Sequence, residues 1–562
     1  MLQNSVNIPA WDQWYTPADV LIKVHGGQLS FADLMAQYNE SKLLFPRIFF
    51  IGLAYLTHWD VRYEMLVSFL LAALIAFNLY VVSRYTVPGH PHPWLFWLTN
   101  LLVFSPLQSE NWLLGISVVS FVPMACVTTG MTIIYRNQWQ IQHQVLACMG
   151  LCLVSTFSIA NGMVAWVLMP PVFWAHGEAL PQYRRGQLIL AAAWLTGWLI
   201  SLVIYFSDYQ KPVGHPSLTA GVIHPWMALQ YLLSFLGAPL GGGELGIGQL
   251  VGLILLSLFS GGCWYLLRHR RQPSLVDRAV PWLAIAAYSL INGLVATAGR
   301  VGFGLEQSLA SRYVTYSVYL PIALIYLLKI IHSDLQFQPS LGSRTPVVDR
   351  AIAALVTLLL TLQVFSFNHG VQLMEATKLS RIQGQACLFF INVLREDACL
   401  LENLFPNVTF LRDRANALNA LGFLSPGLAH SRQLQTLLPA VSDQPTPSLN
   451  HGWIDQLQPV GDLNYQLNGW AVLPEQGTAA KIVVLAYDDA TGYSTAFKIL
   501  AVTEPRPDVA AAFRDHAYLR SGWKATVSGA QIPEQATHLS VWAFDPKIGQ
   551  VFQLDGTRSL PR

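Results

Sequence analysis

The chain has 562 residues, of which 53% are hydrophobic and 11% charged, and its net charge is +2. A charged fraction less than half of the ~25% usual in soluble proteins cannot cover a soluble fold of this length. So small a net charge also excludes a nucleic-acid partner held by charge. Long apolar stretches recur up to about residue 368 and then stop, which divides the chain into a lipid-facing part and a water-facing part. Residues 1–44 come first, and the apolar run 45–58 that follows is too short to span a bilayer and reads as interfacial or re-entrant. Ten stretches then reach or approach spanning length: 65–84, 93–108, 113–135, 144–169, 188–206, 224–240, 247–267, 280–298, 313–332 and 350–368.

Orientation follows from the basic loops. The segment Arg268–Arg271 with Arg278, and the segment from Lys329 through Arg344 to Arg350, are the richest in Lys and Arg and belong on the cytoplasmic side. Counting outward from them puts 108–112, 170–187, 241–246 and 299–312 outside, together with residues 1–44 and the C-terminal part. No apolar helix precedes residues 1–44 to carry them across, so a further amino-terminal span upstream of Met1 is expected.

Cys126, Cys148, Cys152 and Cys263 lie in apolar stretches, where a thiol behaves as a small hydrophobe. Cys387 and Cys399 lie beyond the last span, either as a disulfide if that side is oxidising or as two free thiols. Short helices are expected from Arg381 to Leu424 and a Pro/Ser/Gln-rich linker from Ser425 to Leu449. Alternation over Lys481–Tyr487, a turn at Asp488–Gly492, and strands at Thr495–Val502 and His538–Phe544 predict a small β-sandwich. The expected organisation is therefore a 1–44 outer, periplasmic catalytic loop, a 45–368 transmembrane helical domain, a 369–449 helical segment with linker, and a 450–562 periplasmic β-sandwich.

The outer loops gather polar groups at the membrane boundary: Asp12, Asn39-Glu40-Ser41-Lys42, Gln108-Ser109-Glu110-Asn111, His176, Arg184-Arg185, and Arg300 to Arg312. Ionisable groups there are costly without a partner or a task, and carboxylates with arginines on one side suit an anionic, proton-exchanging substrate. Ordinary loop polarity is the plain alternative for each group taken singly. No HExxH, paired CxxC or P-loop appears, nor a GxSxG with plausible partners, and Gly241-Gly242-Gly243 lies between two spans, so no nucleotide site is expected.

The order Asp12, Asn39-Glu40, Phe45-Pro46-Arg47, Ser105-Pro106 to Asn111 and Phe157-Ser158-Ile159-Ala160-Asn161-Gly162 resembles bacterial polytopic glycosyltransferases of the GT-C type. Gly299-Arg300-Val301-Gly302-Phe303-Gly304 and Ser311-Arg312-Tyr313 extend the likeness, which covers residues 10–335. It implies a multi-pass protein of the bacterial inner membrane that transfers a sugar from a polyprenyl-phosphate donor on the periplasmic side to a glycan, lipid or protein acceptor. An acidic residue of the first outer loop stands near the reacting centre in such enzymes, and Asp12 is the matching position. Many relatives read Asn-Glu-His-Arg where this chain has Asn39-Glu40-Ser41-Lys42, so the His and Arg are replaced. In this reading Asp12, then Glu40, is the catalytic base that takes the acceptor hydroxyl's proton. Arg300 and Arg312, followed by Arg47, Arg184 and Arg185, bind the departing phosphate. Gln108, Glu110, Asn111 and His176 are further site candidates, and a divalent cation would draw on Asp12, Glu40 and Glu110 if they converge.

A transporter or flippase of lipid-linked saccharides is the competing reading, and it would call for repeat-related halves or charges near mid-membrane. A non-catalytic membrane scaffold is the third. In the C-terminal part, Gly469-Trp470-Ala471, Arg506-Pro507-Asp508-Val509 and Ser521-Gly522-Trp523 are similar to a pattern of β-sandwich modules attached to bacterial surface-sugar enzymes. Trp470, Trp523 and Trp542 either stack on sugar rings or fill the sandwich core.

Overall fold

The computed structural model describes residues 1–89, 92–176, 184–212, 214, 216–217, 219–336, 345–439, 450–461 and 464–560. The chain forms two compact units that do not follow chain order. The first comprises 1–3, 29–50 and 63–375, and the second 4–28, 51–62 and 376–562. The first is a helical membrane domain and the second carries an all-β domain, in agreement with the expected fold class.

Six helices of the described residues are long and apolar enough to cross a membrane: Val61–Thr86, Gly115–Arg136, Gly186–Phe206, Leu245–Arg268, Pro273–Phe303 and Ser311–Gln336. Their packing separates centre from periphery. Ser311–Gln336 and Gly115–Arg136 are 89% and 83% buried, whereas Gly186–Phe206 and Leu245–Arg268 are 17% and 28% buried and keep apolar flanks free for lipid. Proline opens the helices Pro93–Val103, Pro225–Gly237 and Pro273–Arg300, where its missing N–H is no loss. Asn137, in left-handed conformation at φ 45°, closes Val118–Arg136. Inside the bundle Trp282 stacks on Tyr326 at 3.8 Å between ring centroids, and Asn78 bonds Thr128, Thr129 and Thr132, which satisfies an amide far from water.

The other expected spans take different forms. Residues 93–108 and 224–240 contain helices of 11 and 13 residues, and 350–368 lies within the 45-residue helix Thr345–Phe389. The short run 45–58 is the 14-residue helix Leu44–Thr57. The stretch 144–169 breaks into two helices, Ile141–Thr156 and Ala165–His176, separated by a turn at Phe157–Val164. That break reverses the chain and alters the expected topology. At one end of the bundle His176 meets Asp277 at 3.1 Å and packs against the Tyr135 ring, 4.4 Å between centroids, so 176 lies at the end that carries the basic segment 268–278. At the opposite end the turn reaches Ser41, whose hydroxyl accepts from the Ala160 N–H, and the Tyr205 hydroxyl bonds the Glu40 carbonyl. Residue 176 therefore does not share an end with 299–312, contrary to its assignment to the outer side. Hydropathy counts one apolar stretch where the backbone turns back.

In the second unit, strands β3 (Gly452–Val460), β4 (Asn464–Leu473), β5 (Thr478–Ala479), β6 (Ile482–Asp488), β7 (Ser494–Ala501), β8 (Gly522–Ser528), β9 (His538–Asp545), β10 (Gln550–Gln553) and β11 (Arg558–Ser559) form two antiparallel sheets. β1 (Gln37–Tyr38) and β2 (Ser41–Lys42) form a hairpin of the first unit. One sheet runs β10-β9-β6-β7 with β11 on β9, and the other runs β3-β4-β5 with β8 on β4. Ile454, Leu467, Trp523, Ala525 and Val527 of one meet Val483, Leu485, Val541 and Ala543 of the other as the sandwich core. The outer face of the five-stranded sheet, with Ile482, Val484, Trp542 and Phe544, is covered by Ile382, Phe389, Phe390, Leu394 and Leu434. Much of the expected helical segment thus belongs to this unit, while 440–449 of the expected linker lies outside the described residues. Cys387 and Cys399 are joined as a disulfide.

Candidate functional site

Glu40 stands at the tip of the β1–β2 hairpin, where Tyr38 pairs with Ser41 across a two-residue turn. Asn39 takes the left-handed conformation that such a turn needs, φ 48°, at small steric cost for an asparagine. The hairpin is clasped by the loop after Phe206. Gln37 Nε2 donates to the Gln210 carbonyl at 2.6 Å, the Gln210 N–H returns to Gln37 Oε1, and Lys42 pairs with Asp208. The Lys42 ammonium holds the Asp208 carboxyl below its usual range. Arg47, 5% exposed, donates to the carbonyls of Leu34 and Ala36 and so ties the preceding loop to its helix.

So held, Glu40 pairs with Arg300 at 2.6 Å across 260 residues. Tyr209 flanks the pair: burial first, and the Glu40 carboxylate second, keep its phenol above the ordinary value, with Arg300 acting in the opposite sense. A second pair joins Arg312 and Glu110 at 3.0 Å. Its placement is built by Asn111, which donates to the Arg312 carbonyl and to Thr315 Oγ1, by Gln108, which accepts from Thr315, and by Ser311, which accepts from the Glu110 N–H. Tyr231 of the helix Pro225–Gly237 is fully buried. Its hydroxyl sits beside Tyr313 with no hydrogen bond of ordinary geometry among the described residues. Asn161 of the turn bonds Asn292.

The structure thus gathers Glu40, Arg300, Glu110 and Arg312 from separate segments at one end of the first unit, with Gln108 and Asn111 as their supports. It takes His176 to the other end, against Asp277. Arg184 and Arg185 begin the helix that ends near Tyr205, and their side chains lie outside the described residues. Asp12 belongs to the second unit, in the turn Trp11–Trp14, where its carbonyl accepts from Tyr15 and Thr16. Among the described residues no three His, Cys, Asp or Glu gather as a metal set. Tyr209, Tyr231 and Asn292 were not singled out from the sequence; an asparagine inside the apolar stretch 280–298 is the one signal that pointed to any of them.

The arrangement offers two guanidinium groups, each with a carboxylate it could exchange for an anionic ligand. The side chains of the two pairs are 24–44% exposed. Such pairs are worth only ~0–1 kcal/mol to stability, so stability alone does not account for their convergence. No protein-family profile matches the chain, and no curated protein does. A solved structure described as the crystal structure of ArnT from Cupriavidus metallidurans in the apo state aligns with 58% of this chain and 73% of that one, at 13% identity and a TM-score of 0.25.

Proposed function

We propose that the chain is a membrane glycosyltransferase of the GT-C type that moves a sugar from a polyprenyl-phosphate donor to a glycan, lipid or protein acceptor. The carrying observation is the convergence of Glu40–Arg300 and Glu110–Arg312 at one end of the helical unit. The likeness of the residues from Asp12 to Tyr313 supports the same reading. In the reaction the acceptor oxygen bonds the anomeric carbon while the bond from that carbon to the phosphate oxygen breaks. The phosphate leaves with the electron pair, and a carboxylate receives the hydroxyl proton. Arg300 and Arg312 neutralise the charge that builds on the departing phosphate, each able to offer two parallel hydrogen bonds. Glu40 lies beside Arg300 and serves as base in this account; Asp12 is the alternative base, on the resemblance alone. The reaction belongs at the periplasmic face of a bacterial inner membrane, with the β domain on that side.

The test is transfer of labelled sugar from polyprenyl-phosphate donors to membrane acceptors by the wild type and by Arg300→Ala, Arg312→Ala, Glu40→Gln and Asp12→Asn at matched expression. Loss of about 100-fold or more in the arginine variants is expected. Equal transfer by both arginine variants would remove them from the mechanism, and no transfer by the wild type would favour transport of a lipid-linked saccharide.

A further inference from the structure

The two sheets of the β domain differ in what covers their outer faces. Helices of the same unit cover the five-stranded sheet. The outward face of β3, β4 and β8 instead carries aligned rows set by the strand register. Trp453 stands opposite Trp470 and Gly522, Gln456 opposite Asn468 and Lys524, and Gln458 opposite Gln466 and Thr526. Four carboxamides thus lie side by side, and Asn468 donates to Gln456 at 3.4 Å. The side chains of Gln458, Gln466, Lys524 and Thr526 make no protein hydrogen bond among the described residues. Trp453 ends the array with 42% of its surface exposed.

That end has a built wall. Arg506 reaches Asp455 at 2.6 Å and Asp508 at 2.7 Å, and a Cβ on Gly522 would come within 3.0 Å of its side chain. Phe513 leans on Trp470, with 6.1 Å between centroids. The wall sets one guanidinium between two carboxylates, and the amide rows contain no carboxylate.

We propose that this face binds a neutral oligosaccharide, its rings stacked on Trp453 and its hydroxyls bonded by Gln456, Gln458, Gln466 and Asn468. A carboxamide gives a donor and an acceptor at adjacent positions, which matches vicinal hydroxyls, and an indole face matches the apolar face of a pyranose. The strand from Trp453 to Gln458 extends about 17 Å, room for a short oligosaccharide. A charged polymer would be poorly served, because Lys524 is the one unpaired ion of the rows. The inference goes beyond glycosyl transfer and stands whether or not that reading holds.

The experiment uses the full chain in lipid nanodiscs, which avoids sugar-headed detergents, and titrates tetrasaccharides of β-glucose, α-glucose, β-mannose and N-acetylglucosamine to millimolar concentration. Tryptophan fluorescence and calorimetry report binding. At least one probe should bind saturably, about tenfold more weakly to Trp453→Ala and to Gln456→Ala/Gln458→Ala, and equally to Arg312→Ala. Thermal melting checks that the variants stay folded. Binding of no probe, binding that both variants retain, or binding abolished by salt would each overturn the proposal.

Discussion

Arg300 and Glu40 are within hydrogen-bond reach yet a quarter to a third exposed, so water screens their attraction. Removing either charge should change thermal stability by no more than about 1 kcal/mol while abolishing transfer; melting and activity measured on the same Glu40→Ala and Arg300→Ala preparations check this. A melting loss several times larger would assign the pair to the fold. In the β domain Arg506 holds the Asp508 carboxyl down to about 2. A depressed carboxyl contributes stability above its unfolded value of ~3.9, and that contribution is lost as pH falls toward 2. Asp508→Asn should therefore flatten the decline of the β-domain melting temperature between those limits, by little because the side chain is 62% exposed. The sequence exposed these residues unevenly. Arg300, Arg312, Glu40 and Glu110 stood out as charges at apolar boundaries, but their pairing, 260 residues apart in one case, has no periodicity to betray it. Arg506 and Gly522 stood out as a pattern, and its cause, a Cβ that would lie 2.9 Å from the Glu504 carbonyl oxygen and 3.0 Å from Arg506 Cγ, needed coordinates.

At the scale of elements, the turn between Ile141–Thr156 and Ala165–His176 rests on Gly162. A Cβ there would lie 1.9 Å from the Ser155 carbonyl oxygen, a backbone atom that cannot step aside. Gly162→Ala should therefore cost 3 kcal/mol or more, or prevent folded expression, on the scale of ~1–3 kcal/mol for moderate overpacking and above it for a backbone clash. Gly150, in the preceding helix with nothing within 4 Å of its own Cβ, is the control. Gly150→Ala should gain ~0.5–1 kcal/mol from helix propensity, and thermal melting separates the two. The disulfide Cys387–Cys399 closes a loop of 12 residues, and Cys387→Ser with Cys399→Ser should lose about 3 kcal/mol by the chain-entropy estimate. Strands were the easier elements to read. Lys481–Tyr487, Thr495–Val502 and His538–Phe544 differ by a residue from β6, β7 and β9 because alternation and the Asp488–Gly492 turn fix both ends. The broken span hid because Phe157 to Val164 is mostly apolar, and a hydropathy window registers composition and not direction.

For the whole molecule, that reversal decides which loops share a side. Were 144–169 a single crossing, His176 would lie with Glu306 and the arginines of the candidate site. With the chain turned back at Phe157–Val164, it lies with Arg270 and Asp277. Single cysteines can read the difference. In a chain whose partly buried Cys263 is replaced by alanine, Arg270→Cys, Glu306→Cys and His176→Cys are labelled by a membrane-impermeant maleimide in intact cells and again after permeabilisation. The thiols Cys126, Cys148 and Cys152 are buried out of the reagent's reach and stay silent. Position 176 should follow 270, labelled on the same occasion and opposite to 306. If 176 instead follows 306, the helices Ile141–Thr156 and Ala165–His176 cross as one, and the hydropathy count of sides is restored. If it follows 270, His176 is removed from any chemistry at the Glu40–Arg300 end, and Asp277, its partner at 3.1 Å, becomes the group that fixes it.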